Sequence, residues 1–171
     1  MIRAAALILA ASLLAIAPGA DAQSAKKGGT SRPPATASED VWKPAATPPG
    51  GTSWKLLEST GETTRTDAQG FIVSKPVFPA PVKALAGKRI KVAGWMMPLE
   101  AGAKQKRFVL LGYPPGCPFH FHAAPNQFIE VVAETPFPTN ETKLFVVSGV
   151  LELTGYDESG IFYRLRAARQ G

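Results

Sequence analysis

Cys117 is the only cysteine of the chain, and its only two histidines, His120 and His122, follow within five residues, in Gly116-Cys117-Pro118-Phe119-His120-Phe121-His122. Thiolate and imidazole are the side chains that hold zinc and copper. Cys117 and His120 have the C-x2-H spacing of ligands carried on a turn. His120 and His122 share a face if the segment is extended. All three reach one metal if the chain bends between Cys117 and His120, as the prolines around Cys117 allow. A fourth position would be left for water, an external ligand or another side chain, with Glu130, Met96 and Met97 as candidates. Cys-His-His suits zinc, and an added methionine suits copper. The other readings of the same residues are a structural turn with hydrogen-bonded histidines and a reactive free thiol. Asn126 and Gln127 stand where their amides could orient the histidines, or where Asn126 caps a turn after Pro125.

Catalytic patterns are absent. The sequence has no G-x-S-x-G elbow, no phosphate-binding glycine loop and no H-E-x-x-H. A Cys–His nucleophile pair is normally assembled from distant segments, and here all three residues share one short stretch. The expectation is a non-enzymatic protein.

The elements around this turn begin with a targeting segment. Arg3, the apolar run Ala4 to Ala17, the break at Pro18-Gly19 and Ala20-Asp21-Ala22 form a signal peptide over residues 1–22, cleaved after Ala22. The run is too short to serve comfortably as a membrane anchor. A lipoprotein would need cysteine at the cleavage site, so the expectation is a periplasmic or secreted protein without a lipid anchor. In such an oxidising compartment paired cysteines usually form disulfides, and a single one cannot pair within its own chain. The formal charge is +6 and the sequence pI about 9.6. Basic residues cluster at Lys88-Arg89-Ile90-Lys91, at Lys104-Gln105-Lys106-Arg107 and at Arg164, Arg166 and Arg169. Attraction to anionic lipid and plain solubility both account for them, and charge patterning alone favours solubility. An exported protein has little occasion to meet nucleic acid.

Residues 23–51 are rich in Ala, Pro, Gly, Ser, Thr and Lys and read as a disordered linker. Residues 52–168 read as one small domain. Thr52 or Ser53 caps a short helix bearing Trp54 and Leu57. Phe71 to Val73 is a short extended piece, and Pro76, Pro79 and Pro81 then keep the chain out of regular structure. Val82 to Gly87 makes one more helical turn. Strands are expected at 89–97, 107–111, 127–133, 143–153 and 161–167, with hairpin loops at Glu100 to Ala103 and Asp157 to Gly160. Five short strands around one core give an all-β class with one or two short helices, as a small OB-like barrel or an open five-stranded sandwich. Gly94 and Gly149 mark bends where strands curl to close the barrel.

Several blocks then resemble the exported bacterial domain-of-unknown-function family 3299. They are Trp54-Lys55-Leu56-Leu57, the stretch Leu85 to Leu99, Cys117-Pro118-Phe119-His120, Pro125-Asn126-Gln127, and Val147-Ser148-Gly149-Val150-Leu151. The resemblance covers residues 53–168. It implies an exported small β-domain tied to envelope metal or transporter systems, with a periplasmic or membrane transport protein as partner. It gives no reaction. Relatives commonly carry Cys-Pro-Phe-Cys where this chain has Cys-Pro-Phe-His. That change abolishes a dithiol couple and keeps a metal ligand. The functions it leaves are a transition-metal-binding accessory or carrier protein, an envelope interaction module with a structural turn, and a thiol that forms mixed disulfides.

Overall fold

In the computed structural model of the protein, the described residues are 43–116 and 123–171. The elements run α1 (Trp54–Leu57), β1 (Gly61–Thr66), β2 (Ile72–Val77), α2 (Ala80–Lys83), β3 (Arg89–Pro98), β4 (Lys104–Leu111), β5 (Phe128–Pro138), β6 (Leu144–Leu153) and β7 (Tyr163–Gln170). Strands β3 to β7 form a closed barrel in the order β3-β4-β5-β7-β6, and β1 and β2 form a separate hairpin. All pairs are antiparallel except β5 with β7. This is the expected OB-like barrel, in which every strand has two strand neighbours.

The alternation in β3 places Ile90, Val92 and Met96 inside, and β5 contributes Ile129, Val131 and Ala133 to the same interior. Phe108, Phe137 and Phe145 pack on one another there, with centroids 5.1 Å and 6.0 Å apart. Phe78, Phe162 and Tyr163 form a second aromatic group. Gly94 and Gly149 sit where a neighbouring strand comes too close to leave room for a side chain. A Cβ on Gly94 would lie 2.5 Å from the Leu111 carbonyl oxygen, and one on Gly149 would lie 3.1 Å from that of Arg166. Opposite Gly149, β7 shifts register and Ala167 takes φ 44, as a bulge that sharpens the bend.

Two expectations about the proline-rich stretch are corrected. Pro76 lies within β2, opposite Glu62, because a two-stranded sheet has outer edges where a missing N–H costs no ladder bond. Pro81 sits in the first turn of α2, where the N–H has no intrahelical partner anyway.

Part of the chain before α1 also packs on the barrel. The pairing of β3 with β4 spans only Trp95–Pro98, so the first half of β3 is open on that side. Residues before α1, with Trp54 at its start, fill the opening. Thr52 N–H donates to Lys91 O at 2.7 Å, Trp54 Nε1 to Ala93 O at 2.7 Å, and Ala45 N–H to Gly112 O at 2.8 Å. Ala45 is buried. Packed chain therefore extends upstream of Thr52 into the stretch expected to be linker. Small apolar residues suffice there, because the seam needs backbone hydrogen bonds more than bulk. Ser53 caps α1 as expected, its Oγ accepting from Leu56 N–H, and Trp54 and Leu57 are buried.

Among the described residues no helix is long and apolar enough to cross a membrane. The expected signal peptide and residues 23–42 of the expected linker lie outside the described residues.

Candidate functional site

The segment that carries Cys117, His120 and His122 belongs to the connection between β4 and β5. Residues 117–122 lie outside the described residues, so the structure places neither the thiol nor the imidazoles. It does place both feet of the loop. Leu111 pairs with Phe128 as the last rung of the ladder, and Gly112 N–H then donates to Gln127 O at 2.9 Å. Gln127 N–H donates to Ala124 O at 2.8 Å, which closes the turn before β5.

The feet are fastened to the segment around α1. Trp54 lies directly on Gly112, where a Cβ would be 2.7 Å from Cδ2 of the indole. Asn126 Nδ2 donates to Glu58 O at 3.1 Å and to Thr60 O at 2.9 Å. Gln127 Nε2 donates to Glu58 Oε1 at 3.4 Å, and its Oε1 accepts from Ala124 N–H at 3.1 Å. Glu58 is also hydrogen-bonded to the Tyr113 hydroxyl. Burial, with help from that bond and from the Glu58 charge, pushes the Tyr113 phenol up to about 12. Tyr163 secures the other side of the clamp, donating to Leu57 O at 2.7 Å and meeting Thr60 Oγ1 at 2.5 Å. Beside this base a cleft of about 120 Å³ is lined by Thr60, Gly61, Glu62, Ala124, Pro125, Asn126 and Phe162.

The remaining residues singled out from the sequence divide sharply. Asn126 and Gln127 are tied to Glu58 and Thr60, so they hold the loop base to α1. Glu130 is buried on the outer wall, its Oε1 taken by Arg107 at 2.5 Å and its Oε2 by Arg164 at 2.6 Å. Burial would raise its pKa, but the two guanidinium hydrogen bonds outweigh burial and hold it below the usual carboxylate range. Its carboxylate is thus engaged as the centre of an ion-pair chain that continues from Arg164 to Glu152 and Arg166. Met96 is inside the barrel, 1% exposed, and away from the surface. Met97 is on the outside, packed with Val109, Leu111 and Phe128 in a cluster that also takes Ala123. Of the two methionines, only Met97 touches the surface to which the chain returns after His122. Among the described residues no three of the His, Cys, Asp and Glu side chains group to hold a metal ion.

Sequence reasoning missed Glu58 and Tyr113 as parts of this base, and read Trp54 only as a docking residue. No local pattern announces the pairing of Glu58 with Tyr113, which are far apart in the chain. The one usable signal was Gly112-Tyr113-Pro114-Pro115, a glycine beside an aromatic residue at the end of a strand.

The arrangement is a long loop whose ends are fixed on a rigid wall and whose middle carries every thiol and imidazole of the chain. The family described as "Protein of unknown function (DUF3299)" matches residues 37–168. No curated protein matches the chain. A crystal structure of a DUF3299 family protein from Pseudomonas aeruginosa PAO1 is similar with 24% sequence identity and a TM-score of 0.43. The similarity covers 53% of this chain and 65% of that one, so this chain spans less than two thirds of that protein.

Proposed function

The chain belongs to the DUF3299 family, and from that premise we propose that it is an exported, non-enzymatic protein that binds a transition metal through Cys117, His120 and His122. It would act as an accessory or carrier protein in envelope metal handling, periplasmic and without a lipid anchor, delivering zinc or copper to a transport or envelope partner.

The observation that supports this reading best is the double fastening of the loop. Gly112 and Gln127 are joined by a backbone hydrogen bond, and Asn126 and Trp54 hold the two feet to the α1 segment. Ligands on a loop with fixed ends lose less conformational entropy on binding than ligands on a free tail. Cys, His and His supply three soft or borderline donors and leave one position open. Met97, on the apolar patch that Ala123 joins, is the outer-surface thioether that copper could recruit as a fourth ligand. Titration of the reduced protein with cobalt(II) tests the proposal. A thiolate-to-cobalt absorption band that saturates at one equivalent supports it, and no band at millimolar cobalt contradicts it.

The interaction-module reading also has an observation in its favour. Every β1 residue of the β1–β2 hairpin is exposed, and Phe71 and Ile72 near its turn are 69% and 78% exposed. An exposed aromatic and aliphatic pair of this kind is a common anchor for a protein partner. Affinity capture from an envelope extract, with Phe71→Ser/Ile72→Ser beside the native chain, tests it. A partner kept by the native chain and lost by the variant supports it, and identical captures contradict it.

A further inference from the structure

Two basic clusters far apart in the sequence meet on one face of the barrel. β6 lies between β3 and β7, and its register brings them into two rows. Arg89 stands opposite Val150, and Val150 opposite Arg166. Lys91 stands opposite Ser148, and Ser148 opposite Arg169. Residues directly opposite one another in a sheet share a face. All six are exposed or half-buried, which makes this the outer face. Four cations therefore stand at the corners of a patch roughly 10 Å across the strands and about 7 Å along them, from strand spacing and rise. The floor between them, Ser148 and Val150, carries no charge.

The nearby acids only partly neutralise this patch. Glu134 bonds Arg169, and Glu152 bonds Arg166 while shared with Arg164. Arg89 donates to the carbonyls of Ser148 and Ala167, at 3.4 Å and 3.2 Å, and Glu134 feels its charge as well as that of Arg169. None of the ion pairs among the described residues involves Lys88, Arg89 or Lys91.

We propose that this β3–β6–β7 face docks the protein reversibly on an anionic phospholipid surface. The chemistry of the face selects that partner. None of the six residues of the patch is aromatic, so it offers no ring on which a base could stack, which disfavours single-stranded nucleic acid. Four cations outnumber the single negative charge of one phosphodiester headgroup, so several headgroups are engaged together. Each basic residue near an anionic leaflet contributes about fivefold to binding, and the attraction fades within a Debye length. The expected association is weak, salt-sensitive and peripheral.

The test is co-sedimentation of the protein, as purified from its producing cells, with vesicles of pure phosphatidylcholine and with vesicles containing phosphatidylglycerol. Arg89→Gln/Lys91→Gln is compared with Lys104→Gln/Lys106→Gln, an equal loss of charge from the start of β4. Thermal unfolding of both variants confirms that each is folded. The proposal expects binding to the anionic vesicles only, a roughly tenfold or greater loss in Arg89→Gln/Lys91→Gln, and little change in the β4 variant. Equal losses in the two folded variants would assign the attraction to net charge and overturn the proposal. Equal binding to both vesicle types, or binding to soluble polyphosphate with none to the vesicles, would overturn it as well.

Discussion

The indole of Trp54 rests on Gly112 so closely that a Cβ there would come within 2.7 Å of its ring. Trp54 Nε1 also reaches Ala93 O at 2.7 Å, across the seam between β3 and β4. One residue thus closes the barrel wall and seats the foot of the Cys117 loop. Gly112→Ala must push the ring or the loop aside, and it is expected to cost about 1–3 kcal/mol, the usual range for overpacking. Gly61→Ala, with open space around it, should stay within about 0.5 kcal/mol. Urea denaturation followed by tryptophan fluorescence measures both. Equal stabilities would mean that the contact is soft.

Asn126 ties the return limb of the loop to Glu58 O and Thr60 O. Asn126→Ala leaves two carbonyls without that donor, at an expected cost of about 1–2 kcal/mol. If the loop carries a metal, zinc affinity should fall about tenfold as well, as happens when groups that orient ligands are removed. Affinity unchanged while stability falls would separate the loop base from the metal site.

The Glu130 carboxylate is held below its ordinary range by Arg164 and Arg107, in spite of burial. A lowered folded-state pKa contributes stability that is fully present above the unfolded value, about 4.3. That contribution is lost as pH falls through the lower, folded value. Native protein should therefore lose stability below about pH 4, and Glu130→Gln should flatten the part of that slope that Glu130 supplies. At neutral pH the same variant should cost about 1–3 kcal/mol, because a buried, charge-assisted pair is broken. Denaturation midpoints at pH 7 and near pH 3.5 decide. An unaltered acid slope in Glu130→Gln would assign the pH dependence to other carboxylates.

Residues 45 to 52 contribute seam hydrogen bonds from Ala45 and Thr52 and the buried Ala45 side chain. A chain starting at Ser53 should be less stable than one starting at Lys43 by about 2 kcal/mol, from two hydrogen bonds and a small apolar burial. Chemical denaturation of the two chains checks this. Equal midpoints would return the boundary to Ser53.

The barrel was legible because its signals are local. Alternation in Arg89 to Met97 gave the inward row Ile90, Val92 and Met96. The close contacts at Gly94 and Gly149 were foreshadowed by glycine inside strands. The β1–β2 hairpin was less legible, since β1, Gly-Glu-Thr-Thr-Arg-Thr, has no buried face and hence no hydrophobic period to read. Pro76 looked like a breaker because edge position, which excuses it, is a tertiary fact. The role of Glu130 was hidden for the same reason: only the parallel pairing of β5 with β7 brings Arg164 beside it. The residues that motivated the functional reading, Cys117, His120 and His122, lie outside the described residues. Their chemistry rests on residue type and spacing.

The most direct measurement is calorimetric titration of reduced native protein and of Cys117→Ser with zinc, and with Cu(I) under anaerobic conditions. The account predicts one equivalent bound by the native chain, weakening as pH falls because the ligands are a thiolate and neutral imidazoles. It predicts that Cys117→Ser loses most of that affinity while its unfolding curve is unchanged. Equal binding by the two proteins, or no binding by either, would contradict it.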